Sequence, residues 1–126
     1  MNSSDGPAVR FTPYALRLRA AFAGSQAPRH VQDYKQLRCW KAAQELAREL
    51  IPKTEAFPVE TRFGMASQIR NAAVSIPANI AEGCGRDSDR AFANHVRIAL
   101  GSAFELESLL FLSGDLGYLS RPDTSR

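Results

Sequence analysis

The chain has few of the residues that usually hold a metal ion or form a disulfide. Its 126 residues include two cysteines, Cys39 and Cys84, and two histidines, His30 and His95. The cysteines form no CxxC pair, and neither histidine has a partner at the spacing of metal ligands. We therefore expect reduced thiols, as in a cytoplasmic protein, with no structural metal site and no cofactor.

Long apolar runs are also lacking. No stretch approaches the roughly 18 to 20 apolar residues that a membrane-spanning helix needs, so we expect no membrane partner. No segment alternates between apolar and polar residues in the way that a half-buried strand does. At 44% hydrophobic and 23% charged residues, the composition is that of an ordinary small globular domain.

Positive charge is present in only a small excess, with a net charge of +3. An excess of this size does not by itself indicate nucleic acid. Phosphate binding requires clustered basic residues, and two groups are candidates for nucleic-acid contact: Lys35, Arg38 and Lys41 on one face of the first helix, and Arg86, Arg90 and Arg97 near the start of the third. The alternative is an ordinary solvated surface.

The composition divides the chain into three parts. Residues 1–31 are rich in Ser, Gly, Pro and Ala at both ends and are expected to form a flexible leader. Its middle could form a short helix through Phe11, Ala15, Leu18 and Phe22, and its arginines also resemble a transit peptide. Residues 32–119 are predicted to form a helical bundle domain, and residues 120–126 a polar tail.

The first helix is predicted to begin near Asp33. Asp33 can cap it, with Gln36 three residues later completing a capping box. An apolar row follows from Trp40 to Leu50 at helical spacing. Pro52 should then kink the helix, or the helix should end near Leu50.

The second helix is predicted from Val59 to Glu82. Phe63 is expected to begin its apolar face, which continues through residues such as Ile69, Ile76 and Ile80. Pro77 lies inside this segment and should bend its axis. Gly83 and Gly85 are natural stops.

The third helix should begin at Asp87 or Ser88, both of which are good caps, and should end at Gly114 or Gly117. It carries two rows at helical spacing. The first row is Phe92, Val96, Ala99, Ala103, Leu106 and Leu110. The second row is Ile98, Ser102, Glu105, Leu109, Leu112 and Leu116. A helix with two apolar rows needs cover on two sides.

Polar residues interrupt the inner faces of the second and third helices. The set comprises Gln68, Arg70, Ser75, Asn79, Glu82, Ser102 and Glu105. Buried polar groups are costly unless they are hydrogen-bonded, so we interpret this set as a structural polar layer that fixes pairing, with Arg70, Gln68 or Asn79 as partner for Glu105. A ligand contact is the alternative, whereas catalysis lacks a nucleophile and base pair.

Gly101 stands in the middle of the third helix. A glycine there costs about 1 kcal/mol relative to alanine. The usual compensation is close approach by another backbone, so we predict a packing contact with the second helix or with another subunit.

Several segments together resemble a known family. They are Asp33-Tyr34-Lys35-Gln36-Leu37 with Trp40, Phe57-Pro58, Phe63-Gly64-Met65, Gln68-Ile69-Arg70, the run from Ala72 to Gly83, Ala99-Leu100-Gly101-Ser102, Glu105-Leu106-Glu107, and Leu116-Gly117-Tyr118-Leu119. Their sequences and spacing resemble the four-helix-bundle proteins encoded in intervening sequences of 23S ribosomal RNA genes, a family that includes accessory proteins of diversity-generating retroelements.

The resemblance implies an antiparallel, up-down helical bundle without enzyme activity, commonly assembled as a homo-oligomeric, pentameric ring. In the retroelement branch it implies binding of RNA or DNA and of a reverse transcriptase. Two features depart from the family pattern. Pro52 lies where the first helix usually continues, and three long helices are predicted, with the fourth missing or truncated.

These observations give one expectation for the surface and two for the function. Without a fourth helix, part of the row Ile98, Leu109, Leu112 and Leu116 should be exposed as an apolar strip. The favoured function is a non-catalytic, self-associating bundle that serves as an accessory nucleic-acid- or protein-binding module. The alternative is a purely structural interaction domain, or a truncated family member, with no nucleic-acid role.

Overall fold

The computed structural model describes residues 33–119. The predicted leader 1–31 and polar tail 120–126 lie outside the described residues. Within them, the chain forms three α-helices, which we name α1 (Arg38–Lys53), α2 (Met65–Cys84) and α3 (Asp89–Asp115), and three short 3-10 turns at Tyr34–Gln36, Thr54–Ala56 and Val59–Thr61. No strand occurs among these residues, and the predicted all-α helical fold is confirmed.

The helices run up and down. Ser75 of α2 faces Ser102 of α3, and one turn later Asn79 faces the earlier residue His95, so α2 and α3 are antiparallel. Arg70, near the start of α2, meets Thr54 just beyond the end of α1, so α1 and α2 are antiparallel as well. Two contact surfaces result, which we call the α1–α2 seam and the α2–α3 seam.

The core lies where α1 and α3 pack against α2. Its largest fully buried side chains are Leu50, Ile69, Ile76, Ile80, Leu106 and Leu110. Burying each such side chain stabilises the fold by roughly 1.5 to 3 kcal/mol. No Cα of α1 lies within 8 Å of a Cα of α3, so α2 occupies the central position and the other two helices flank it.

The start of the first helix differs from the prediction. Asp33 does cap, but it caps the 3-10 turn, accepting a hydrogen bond from the Lys35 amide at 3.0 Å. Leu37 is then extended, and α1 begins at Arg38 without a side-chain cap. The predicted capping box is therefore wrong, because the extended residue interrupts the helical register. Pro52 lies in the last turn of α1, so the backbone hydrogen bond that the proline cannot donate is lost only at the end of the helix.

The second helix also begins later than predicted. Gly64 has a non-helical ψ of −112°, so α2 begins only at Met65. The break turns Phe63 away from the core, and its side chain is 92% exposed. Phe63 was predicted to begin the apolar face, and this is corrected. By contrast, α3 begins as predicted, with the Ser88 hydroxyl accepting from the Ala91 amide at 3.1 Å.

None of the helices within residues 33–119 combines the length and apolar composition of a membrane span.

Candidate functional site

A row of hydrogen bonds crosses the α2–α3 seam. From one end of the row to the other, the members are Arg86, His95, Asn79, Ser75 and Ser102. The Arg86 Nε lies 3.2 Å from His95 Nε2, and His95 Nδ1 lies 3.3 Å from Asn79 Oδ1. The Asn79 Nδ2 lies 3.0 Å from Ser75 Oγ, which is 2.9 Å from Ser102 Oγ. We call these five residues the polar row.

The chemistry of the donors gives the polar row a direction. An arginine Nε–H can only donate, so His95 Nε2 accepts and Nδ1 carries the proton that is donated to Asn79. The Asn79 amide donates to both the carbonyl and the hydroxyl of Ser75. The Ser75 hydroxyl is then free to donate to Ser102. Each member is satisfied by its neighbour, which is the requirement for a polar group between helices.

An ion pair between Arg86 and Glu82 lies at the exposed end of the polar row. The Arg86 guanidinium donates to Glu82 Oε1 at 2.9 Å, and both side chains are about half exposed, at 51% and 55%. A pair this accessible to water contributes at most about 1 kcal/mol. Its main effect is to orient the guanidinium toward His95.

Gly83 allows the two helices to approach at this end. A Cβ placed on Gly83 would lie 2.8 Å from the Cβ of His95 and 3.4 Å from the Phe92 ring. Any side chain at this position would push α3 away from α2. Gly83 and Gly85 were predicted to stop the second helix. Gly85 does cap α2, whereas Gly83 lies inside α2 at the crossing point of the seam.

Four of the predicted polar-layer residues come together in this region: Ser75, Asn79 and Ser102 as members of the row, and Glu82 through its ion pair. Gln68 and Glu105 do not join them, since both are exposed in the single chain. Within the single chain, Glu105 lies on the side of α3 turned away from α2, so its place in a polar layer between subunits stays a prediction. His95 could not be recognised as a member of this group from the sequence, because only the helix crossing brings it to Asn79.

Arg70 lies on the other seam. Its guanidinium donates to Thr54 Oγ1 at 3.2 Å and to the Arg62 carbonyl at 3.4 Å. The predicted pairing with Glu105 is therefore wrong. Arg70 instead ties the start of α2 to the connection that follows α1.

Gly101 does not make the predicted contact with α2. It is exposed, and a Cβ built on it would meet no atom within 4 Å. Its helix penalty has no compensation within the described chain, so contact with another subunit remains a prediction.

The two predicted basic groups are only partly assembled. Lys35, Arg38 and Lys41 are all exposed, but the extended Leu37 separates Lys35 from the helical face of the other two. Arg90 and Arg97 are exposed and share a face of α3. Arg86 is turned toward His95, which lies about 140° around the helix from Arg90, so it does not extend that face.

The outer face of α3 exposes apolar side chains, as predicted. We define the outer α3 face by Ile98, Leu109, Leu112 and Leu116. Three of them are about half exposed, at 46% for Ile98 and Leu112 and 52% for Leu116, while Leu109 is partly buried against the core. Gly101 and Glu105 lie on the same side of the helix.

A second apolar surface lies along the outside of the α1–α2 seam. We name it the α1–α2 groove; its volume is about 420 Å³, and it is lined by Gln44, Ala47, Arg48, Ile51, Pro52, Val74 and Pro77. Val74 projects into solvent, with 51% of its side chain exposed. Both prolines of the α1 and α2 helices thus line this groove.

Neither cysteine is arranged for reactivity. Cys39 is buried, and burial raises the pKa of the Cys84 thiol above its ordinary value of 9.0, with a smaller contribution from Cys39. A raised pKa lowers the thiolate fraction at neutral pH. Among residues 33–119, no group of three or more His, Cys, Asp or Glu residues is placed to hold a metal ion.

Comparison with known proteins identifies the family. A family model described as 23S rRNA-intervening sequence protein matches residues 35–126, and the chain belongs to that family. The resemblance found in the sequence is thereby confirmed. No curated protein matches the chain.

Proposed function

We propose that this member of the 23S rRNA-intervening sequence protein family is a non-catalytic, self-associating bundle that works in the cytoplasm as an accessory binding module. The observation that carries the proposal is the outer α3 face. Exposed apolar residues that occur singly are normal, but Ile98, Leu112 and Leu116 share one face of one helix, and a group of this kind marks an interaction surface. Its occupant, we propose, is a second copy of this chain.

The composition of the two apolar surfaces favours self-association. The outer α3 face projects Ile98, Leu112 and Leu116, whereas the α1–α2 groove is a shallow depression with five apolar residues in its lining beside Gln44 and Arg48. A ridge on one side and a groove on another side of the same chain give a head-to-tail contact, which forms a ring when the rotation between subunits closes. A pentameric ring, as the family resemblance implies, is one such closed assembly.

Mass measurements on surface variants test this assembly. We expect light scattering with size-exclusion chromatography to show an oligomer for the full chain and a monomer for both Leu112→Lys and Val74→Lys. A 1:1 mixture of the two variants retains one intact ridge and one intact groove, so it should form a dimer and nothing larger. Phe63→Lys is the matched control, because Phe63 is exposed but belongs to neither surface.

The outcomes separate the possible arrangements. If Leu112→Lys alone reduces the mass, the contact joins two outer α3 faces, and the head-to-tail arrangement is wrong. If the unmodified chain is a monomer at all concentrations tested, self-association is wrong.

The nucleic-acid part of the proposal rests on exposed cations. Arg38 and Lys41 on α1, and Arg90 and Arg97 on α3, are exposed, and assembly would multiply each pair by the number of subunits. Binding of mixed RNA and DNA at low and high salt tests this role, because a phosphate-driven interaction weakens steeply with salt. Neutralising either basic group should lower the salt slope. Binding that is absent at low salt would favour the alternative, a structural interaction domain, with a protein such as a reverse transcriptase as the remaining candidate partner.

The polar row supports a structural reading of the only histidine that the structure describes. Both ring nitrogens of His95 are engaged, one by Arg86 and one by Asn79. Neither nitrogen faces a hydroxyl or thiol that it could activate. The geometry therefore favours a row that fixes the helix register over a row that performs chemistry.

A further inference from the structure

A cleft of about 340 Å³ opens at the connection between α1 and α2. Its walls include Thr54, Glu55, Thr61, Arg62 and Arg70. The cleft lies away from the polar row, and neither predicted basic group contributes to it. Four further lining residues, Phe57, Pro58, Val59 and Ala66, are apolar. The charged groups of the cleft are the guanidinium groups of Arg62 and Arg70 and the carboxylate of Glu55.

Arg70 is held in position by the protein. Its two hydrogen bonds, to Thr54 Oγ1 and to the Arg62 carbonyl, occupy two of the five N–H groups of a guanidinium. The remaining N–H groups have no acceptor among the described residues. Because the side chain is half-buried and fixed at two points, it would lose little entropy on binding a ligand.

No carboxylate neutralises the two arginines. Among the described residues, no Asp or Glu lies within ion-pair distance of the guanidinium of Arg62 or Arg70. Glu55 lies at the wall of the cleft and is exposed. Two positive charges and one negative charge leave the cleft with a net positive charge of one.

The hydroxyl groups of Thr54 and Thr61 limit which donors the cleft can offer to a ligand. Thr54 Oγ1 donates to the Ile51 carbonyl at 2.7 Å, and Thr61 Oγ1 donates to the Pro58 carbonyl at 2.7 Å. Their protons are therefore already used, and the donors left for a ligand are guanidinium N–H groups. Such groups bind oxyanions through paired hydrogen bonds, and phosphate is the oxyanion that matches two guanidinium groups at once.

We infer that this cleft binds a phosphate group between Arg62 and Arg70. The phosphate is that of a nucleotide, either within a single strand of nucleic acid or as a free mononucleotide. Two apolar side chains close to Arg62 in the chain are exposed: Val59, which lines the cleft, at 69%, and Phe63, which directly follows Arg62, at 92%. An aromatic ring beside cations is the arrangement on which bases stack.

This inference deepens the proposed nucleic-acid role and rests on it only for the strand as the source of the phosphate. Inorganic phosphate and adenosine monophosphate probe the cleft itself, and labelled oligothymidylate probes the strand. Chemical shifts of the arginine Nε–H groups report on the first two probes, and fluorescence anisotropy reports on the third.

Three variants and a control make the test specific. Arg62→Gln removes one guanidinium and keeps the carbonyl that Arg70 needs, so we expect the fold to persist and adenosine monophosphate to bind about tenfold more weakly. Glu55→Gln should strengthen binding about threefold, because it removes the opposing charge. Phe63→Ser should weaken the nucleotide and leave inorganic phosphate unchanged. Arg48→Gln, at an exposed arginine on α1 outside the cleft, is the matched control and should leave the binding of phosphate and of adenosine monophosphate unchanged.

Every combination of results decides the matter. If phosphate and oligothymidylate both depend on Arg62, the cleft binds the strand. If phosphate depends on Arg62 and oligothymidylate binds without depending on Arg62, the cleft takes a free nucleotide and the strand binds elsewhere. If phosphate depends on Arg62 and oligothymidylate does not bind, the cleft takes a free nucleotide and the nucleic-acid role fails separately. If phosphate shifts no signal of Arg62 or Arg70, or if Arg62→Gln behaves like Arg48→Gln, the cleft proposal is overturned, whatever the oligonucleotide does.

Discussion

The α2–α3 seam and the α1–α2 seam join the same central helix to its two neighbours by different means. Across the α2–α3 seam, the polar row and the close approach at Gly83 fix both the register and the distance between the helices. Across the α1–α2 seam, apolar packing is dominant, and one arginine ties the ends together. Directional bonds specify one arrangement, whereas apolar contacts tolerate several. The first seam is therefore the rigid one, and the second leaves a groove and a cleft open.

The largest effect is expected at Gly83. Gly83→Leu places a branched side chain where even a Cβ would lie 2.8 Å from His95 Cβ. Overpacking of this kind costs typically 1 to 3 kcal/mol, and we expect about 3 kcal/mol here because backbone atoms of α3 block relaxation. Urea denaturation measures the change.

Gly101→Ala is the control for that change. Its new methyl group meets open space within the chain, so stability should rise by about 1 kcal/mol from the gain in helix propensity. Equal effects of the two substitutions would contradict the assignment of Gly83 as the crossing point. A lower oligomer mass for Gly101→Ala would place the predicted subunit contact at Gly101.

The second-largest effect is expected at Arg70, in the α1–α2 seam. Arg70→Met keeps the length and the apolar stem of the side chain but removes the bonds to Thr54 and to the Arg62 carbonyl. We expect a loss of about 1.5 kcal/mol in the free energy of unfolding, since bonds from a charged donor are among the stronger ones. Arg48→Met, at an exposed position on α1, should change stability by less than about 0.5 kcal/mol. If the two variants are equally stable, Arg70 does not tie this seam.

A smaller effect tests whether the polar row acts as one unit. In a double-mutant cycle of Ser75→Ala and Ser102→Ala, we expect a coupling energy of about 0.5 to 1 kcal/mol, because their hydroxyls are bonded at 2.9 Å. Ser75→Ala combined with Ser113→Ala is the control. Ser113 bonds to the carbonyl of Leu109 within its own helix, so these two changes should add. Additivity in both cycles would show that the row is not coupled.

The smallest effect concerns Cys84, at the end of α2. Because its pKa is raised in the folded chain, the thiol of the unfolded chain ionises first as the pH increases. Its contribution to stability is complete below pH 9.0 and is lost as the pH rises toward the folded pKa. Alkylation of the native chain should accordingly show a higher midpoint pH than alkylation of the urea-unfolded chain. Coincident midpoints would contradict the shift.

Some features of α2 and α3 could be predicted from the sequence, and others could not. Periodicity was enough to predict the buried row and the exposed outer face of α3, because both depend on helical spacing alone. The assignment of Phe63 to the core failed, since the break at Gly64 depends on one backbone angle. Gly83 and Gly101 carry the same intrinsic penalty, and only the helix crossing decides which one is needed.

The polar row could likewise be predicted from the sequence only in part. Ser75, Asn79 and Ser102 were recognisable as polar residues at inner positions. His95 has no partner nearby in the chain, because Asn79 lies 16 residues away. The cleft at the connection between α1 and α2 was also beyond reach, since two 3-10 turns that periodicity does not predict bring Thr54 and the Arg62 carbonyl to Arg70.

The central position of α2 has a consequence for the order in which the molecule opens. Since no Cα of α1 lies within 8 Å of a Cα of α3, either flanking helix can detach while α2 keeps the other. Each opening would be a partial unfolding with its own free energy. Amides of α2 should then exchange with deuterium only when both seams are lost, which makes the middle helix the slowest to exchange and the best reporter of global unfolding.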